Sequence, residues 1–189
     1  EISECLVGSE MCIRDRDTRG FYYGMKTLEQ LLLRRGGTTT IAACDIVDWP
    51  DFEIRGFMND VGRNYMPLPL IARELDSMAQ LKLNVYHFHF TENPGWRLES
   101  KIYPELNAPE NYTRMPGKFY TQKEFKQLVE YCRLRNILLI PEMDMPGHSQ
   151  MFRKALNVKM SDEKATKALV ALILSLIHIS EPTRHSLIS

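Results

Sequence analysis

Net charge is the first thing the sequence lacks. Its 24 Lys and Arg residues are matched by 24 Asp and Glu residues over 189 positions. No net field draws the chain toward nucleic acid or an anionic membrane surface, and no basic block stands out locally. Cysteine is scarce too. Cys5, Cys12, Cys44 and Cys132 form no Cys-x-x-Cys pair, which argues against a disulfide framework and against a zinc site. Long apolar runs are missing: the longest, at residues 169–179, is interrupted by Ser175 and His178 and falls short of the roughly 20 residues that a membrane span requires. No leader pattern opens the chain, and the compartment stays open. What is present is ordinary globular composition, 44% hydrophobic and 25% charged, with enough apolar material for a core.

Both ends stand apart. Residues 1–16, EISECLVGSEMCIRDR, and 174–189, LSLIHISEPTRHSLIS, continue no pattern of their neighbours. Both resemble translated sequencing-adapter read-through and are set aside as non-native. Residues 17–50 read as the end of a small α/β domain. There FYYGMKTLEQLLLRRGG places Leu28, Leu31 and Leu32 at helical spacing before a Gly36-Gly37 stop, and TTTIAACDIVDWP follows as an expected strand.

From residue 51 to 173 the order becomes a strict alternation. EIRGFMNDV (53–61) reads as a strand, and LPLIARELDSMAQLK (68–82) as a helix with Ile71, Leu75, Met78 and Ala79 on one face. NVYHFHF (84–90) is the second strand. A long Pro- and Gly-bearing loop then leads to a helix opened by the capping box Thr121-x-x-Glu124, with Phe125, Leu128, Val129 and Cys132 facing inward. NILLIPEMD (136–144) has the near-continuous apolarity of a parallel strand covered on both faces. A last helix is expected over 161–173, with Asp162 and Glu163 at its positive end. Such repetition predicts βαβ units on a parallel sheet. Three units against the eight strands and about 250 residues of a closed barrel predict an incomplete (β/α)8 barrel.

In such a barrel, chemistry sits at the carboxyl ends of the strands. The first offers Arg55, Asp60 and Arg63; the second His87, His89, Thr91, Glu92 and Asn93; the third Glu142, Asp144 and His148. Imidazoles and carboxylates in this density are costly to bury apart, so a shared polar pocket is expected. His87 and His89 point to one side of a strand, and Glu92, Asp144 and His148 could complete a metal site, so a metal-dependent barrel hydrolase stays open as an alternative.

Three long blocks narrow the choice. RGFMNDVGRNYMPL, KLNVYHFHFTENPGWRLE and IPEMDMPGHS, in order and sensibly spaced, resemble the motifs of family 20 glycoside hydrolases, the β-N-acetylhexosaminidases. The approach segments GFYYGMKTLEQLL and DWPDFEIRG resemble the family too. The resemblance covers about residues 20–152. It implies retaining, substrate-assisted hydrolysis of terminal N-acetylhexosamines from glycans, with no cofactor and a periplasmic or secreted parent enzyme. It also implies that the catalytic Asp-Glu pair belongs to a fourth strand, so that this chain is an amino-terminal fragment, inactive alone. By the same resemblance Arg55 corresponds to an arginine that hydrogen-bonds sugar hydroxyls, and Asp144 and His148 to positions beside the general acid. Glu92 and Asn93 stand where many members carry two aspartates, a departure that puts the pairing there in doubt. His89 and Trp96 remain open between packing and sugar contact.

Overall fold

A computed structural model describes residues 2–6, 11–15, 18–35 and 37–180. The first elements are a hairpin of β1 (Ile2–Leu6) and β2 (Met11–Asp15), a helix α1 (Thr18–Leu31), and a short antiparallel pair β3 (Leu33–Arg35) and β4 (Thr38–Thr40). The strand expected over residues 38–50 is therefore only three residues long. Residues 41–50 have no regular structure, since they find no ladder partner beyond Thr40 and an unpaired strand has nothing to satisfy its backbone.

The sheet that matters is parallel, with β5 (Gly56–Asp60), β6 (Val85–His89) and β9 (Leu138–Glu142) side by side in chain order. Helix α2 (Leu68–Gln80) connects the first two strands; α3 (Gln122–Arg133) leads into the third. Pro at the entry opens α2, whereas α3 starts on the reciprocal Thr121–Glu124 capping box anticipated from sequence. Between β6 and α3 lie the two-residue strands β7 (Thr91–Glu92) and β8 (Gly95–Trp96) and two short 3-10 turns. After β9 come α4 (Gln150–Leu156) and α5 (Glu163–Ser180).

Side-chain alternation divides this sheet into two faces. Tyr86, Phe88 and Phe90 are fully buried and meet Ile71, Leu75 and Met78 of α2 and Phe125, Leu128 and Cys132 of α3 in one core. The opposite face carries Met58, His87 and Ile140 in one row of paired positions, with Asp60, His89 and Glu142 in the next. Met58 and Ile140 remain 48% and 42% exposed there, whereas in a closed barrel such layers are filled from the other strands.

Two differences from the sequence reading, and one point it left open, have local causes. Helix α5 runs past residue 173 to Ser180, because the tail set aside as foreign has no helix breaker before Pro182 and places Leu176 and Ile179 against the core. Trp96 packs edge-on against Phe90 and beside Phe152 at 3% exposure, so it is a core residue and unavailable for stacking on a sugar. Helix α4 was hidden by its length of seven residues, too short for periodicity to register. Among the described residues, no helix is long and apolar enough to cross a membrane.

Candidate active site

The carboxyl ends of the three strands place a row of ionisable groups side by side. Asp60, His89 and Glu142 are at matching positions of β5, β6 and β9. Glu142 Oε2 contacts His89 Nδ1 at 2.8 Å and His87 Nε2 at 2.7 Å, so one carboxylate oxygen serves both imidazoles. The far nitrogen of His89, Nε2, lies 4.0 Å from Asp60 Oδ1 and has no hydrogen-bond partner although the side chain is buried.

Just beyond the strand ends the network continues through Glu92. This carboxylate is only 2% exposed, and a buried charge requires partners. It has two ion-pair contacts at Oε1, Arg63 Nη2 at 2.7 Å and the His148 Nδ1 atom, neither with hydrogen-bond geometry, and its Oε2 accepts from the Asn93 backbone N–H. Arg63 pairs also with Asp60, whose hydrogen bond holds the guanidinium above its ordinary pKa. His148 Nε2 approaches Asp144 Oδ2 at 4.0 Å, and the Asp144 backbone N–H donates to Thr91 Oγ1 at 3.0 Å. Two backbone features permit this convergence. Gly62 lies so close to the β6–β7 connection that a Cβ there would meet Glu92 Cβ at 2.8 Å. His148 takes a left-handed φ of 46°, a conformation costing about 1 kcal/mol or more for a non-glycine residue, and in it the imidazole sits against Glu92.

These groups face an open cavity of about 370 Å3 lined by Arg63, Glu92, Asn93, Thr113, Arg114 and His148, a volume within the range of small-molecule sites. Its floor is stiffened by Arg97. That guanidinium is fully buried and donates to four carbonyls, of Gly62, Arg114, Met115 and Lys118. Burial pulls its pKa below the ordinary value.

Of the residues singled out from sequence, the structure brings Glu92, Asp144 and His148 together and leaves Arg55 out. Arg55 lies at the amino end of β5, where its side chain donates to the carbonyls of Phe52, Glu53 and Lys82. The reason is length. A strand of five residues advances about 17 Å at 3.3 Å per residue, so Arg55 and this cavity lie at opposite ends of β5. The arginine at that pocket is Arg63, recognisable from the strand-end rule that had already placed it among the candidates. Arg97 stood in a motif block with no role assigned to it, and Arg114 carried no sequence signal, since it lies in a loop whose path only the fold defines. For the metal alternative, ligand atoms of His89, Glu142 and Asp144 lie within 4.8 Å of one another, a donor set that a divalent ion could use.

Parallel strands joined by helices, with an ionisable cluster at the strands' carboxyl ends, are the arrangement of a barrel enzyme. The chain belongs to the glycosyl hydrolase family 20, whose catalytic-domain model matches residues 52–175, and its three-stranded sheet is an incomplete (β/α)8 barrel. It is 38% identical to a beta-hexosaminidase of Porphyromonas gingivalis over 147 residues, which are 71% of this chain and 19% of that protein. To the human beta-hexosaminidase subunit beta it is 36% identical over 136 residues, 71% of this chain and 24% of the relative. The beta-N-acetylhexosaminidase structure from Bacteroides fragilis superposes with a TM-score of 0.80 at 30% identity, covering 90% of this chain and 38% of that one. The chain thus spans about a fifth to a quarter of the length of these two relatives. Family membership favours the glycosidase reading over the metal-dependent one.

Proposed function

We propose that this chain supplies the first three βα units of a barrel that removes terminal β-linked N-acetylhexosamine residues from glycans. The reaction is retaining and substrate-assisted: the carbonyl oxygen of the sugar's 2-acetamido group attacks the anomeric carbon, while an Asp orients that group and a neighbouring Glu protonates the leaving oxygen. The observation carrying this reading is the Arg63–Glu92–His148 cluster at the cavity. It offers fixed N–H donors for sugar oxygens, anchored by a carboxylate that solvent does not reach. Asp144 and His148 would tune a nearby acid, as such pairs can. The acid pair itself is not among these groups. The chain's one adjacent Asp-Glu pair, Asp162-Glu163, opens α5, where Asp162 accepts from the Lys159 N–H and Glu163 pairs with Lys167. The chain alone therefore binds and orients without turning over.

An aryl N-acetyl-β-glucosaminide assay tests this. The expected result is no turnover by this chain and clear turnover by a longer protein amplified outward from the same coding region, carrying an Asp-Glu on its next strand. Turnover by this chain alone that depends on added divalent metal would replace the reading with a metal-dependent one centred on His89, Glu142 and Asp144.

A further inference from the structure

The proposed reaction leaves His87, His89 and Glu142 without a task. His89 and Glu142 occupy matching positions of β6 and β9, and Asp144 follows two residues beyond Glu142. One ligand atom from each of His89, Glu142 and Asp144, an imidazole nitrogen and two carboxylate oxygens, lies within 4.8 Å of the other two. What sets this cluster apart from an ordinary acidic patch is the histidine. Its side chain is 4% exposed, Nδ1 contacts Glu142 Oε2 at 2.8 Å, and the buried Nε2 has no hydrogen-bond partner. Nε2 faces a carboxylate instead, Asp60 Oδ1 at 4.0 Å. That gap is too long for a hydrogen bond, yet it exceeds by about half an ångström the spacing of two donors on one tetrahedral zinc, each about 2.0–2.2 Å from the ion. The two carboxylates are also held from outside. His87 Nε2 contacts Glu142 Oε2 at 2.7 Å, and the Asp144 backbone N–H donates to Thr91 Oγ1 at 3.0 Å, the kind of outer contact that orients the ligands of a metal. Among the described residues, the ion-pair partners of Glu142 and Asp144 are imidazoles, and no Lys or Arg pairs with either.

We infer that His89, Glu142 and Asp144 form a site for a single divalent transition-metal ion of the zinc class, with His87 positioning Glu142. A buried imidazole nitrogen favours zinc, cobalt or nickel over magnesium and calcium, which take oxygen ligands. The ion is structural: it ties the carboxyl ends of β6 and β9 together and takes no part in the substrate-assisted reaction. The inference therefore stands apart from the function proposed above.

Titration of the untagged chain, stripped of metal with a chelator, with Zn2+ by calorimetry and with Co2+ by visible absorption tests it. The expected result is a single bound ion, cobalt bands of a nitrogen–oxygen site without thiolate charge transfer, and a urea midpoint that rises with added zinc, as binding to the folded form alone requires. His87→Gln should weaken binding by about tenfold or more, as loss of an outer partner does, and Glu142→Gln and Asp144→Asn by more still. His89→Gln should abolish it. That side chain is buried, so its urea midpoint in chelator is measured first; if the variant does not fold, the two carboxylate variants decide, since their side chains are partly exposed. Cys44→Ala and Cys132→Ala should bind as the parent chain does. Absence of binding, thiolate bands in the cobalt spectrum, or an affinity unchanged in both Glu142→Gln and Asp144→Asn would overturn the site and leave the proposed function standing. Hydrolysis of the aryl N-acetyl-β-glucosaminide by the metal-loaded chain would overturn the structural role, and the proposed function with it.

Discussion

Two arginines bracket the first barrel strand, and the same side chain does different work at its two ends. The Arg55 guanidinium donates to backbone carbonyls of the segments entering β5 and β6, and it lies 5.5 Å from the Tyr23 ring centroid of α1. Arg63 pairs with two carboxylates and opens onto a cavity. At the amino end the polar groups close on one another and hold the turns in place. At the carboxyl end they converge from different strands and leave donors directed at space. The difference separates a stitch from a site, and it lies in the partners rather than in the residue type.

Substitutions can break this contrast, beginning with the residue that supports the carboxyl end from beneath. Arg97→Met removes the donor of four carbonyls, one buried and three part-buried, and is expected to cost about 3 kcal/mol or more, read as a lowered urea midpoint. Next come the two arginines themselves. Arg55→Ala should lower stability by about 1–2 kcal/mol and leave the Kd for N-acetylglucosamine unchanged. Arg63→Gln should instead weaken sugar binding at least about tenfold, at a stability cost of about 1–3 kcal/mol because it removes one partner of the buried Glu92 carboxylate. If both variants lost binding equally, the contrast between the ends would collapse. A smaller effect tests the covering helices: Thr121→Ala removes the reciprocal cap of α3 at about 1 kcal/mol.

A further effect is one of pH. Burial pushes the Cys132 thiol up to about 12, above its value of about 8.5 in an unfolded chain. A raised folded-state pKa means that the folded form holds the proton longer. Its contribution is complete below about pH 8.5 and is lost as pH rises toward 12. Urea midpoints should therefore decline from pH 8 to 10.5, with a shallower slope in Cys132→Ala. Residue-resolved alkylation at pH 8 should modify exposed Cys44 and spare Cys132.

Much of this was legible in the sequence because it depends on periodicity. The apolar faces of α2 and α3, the Thr121 cap and the three parallel strands all follow from side-chain spacing along a single element. The strand-end positions of Glu92, Asp144 and His148 were legible too, from two of the motif blocks. What was not legible depends on distances between elements. Which of Arg55 and Arg63 meets Glu92 is a question of where β5 begins and ends. The roles of Arg97 and Arg114 depend on a loop folding back across residues 113–118. The irregular course of residues 41–50 reflects a missing partner, which no local propensity encodes.

The two faces of the sheet also imply an order of assembly. On the helix side Tyr86 and Phe88 are already sealed by α2 and α3, while on the other side Met58 and Ile140 still look outward. During synthesis at about 5–20 residues per second, such a unit can mature on the ribosome one face at a time. In the complete barrel proposed above, its outer shell would set early and its inner layers would stay solvent-wetted until further strands covered them. The polar cluster at the strand ends would then be in place before the barrel's interior is dry.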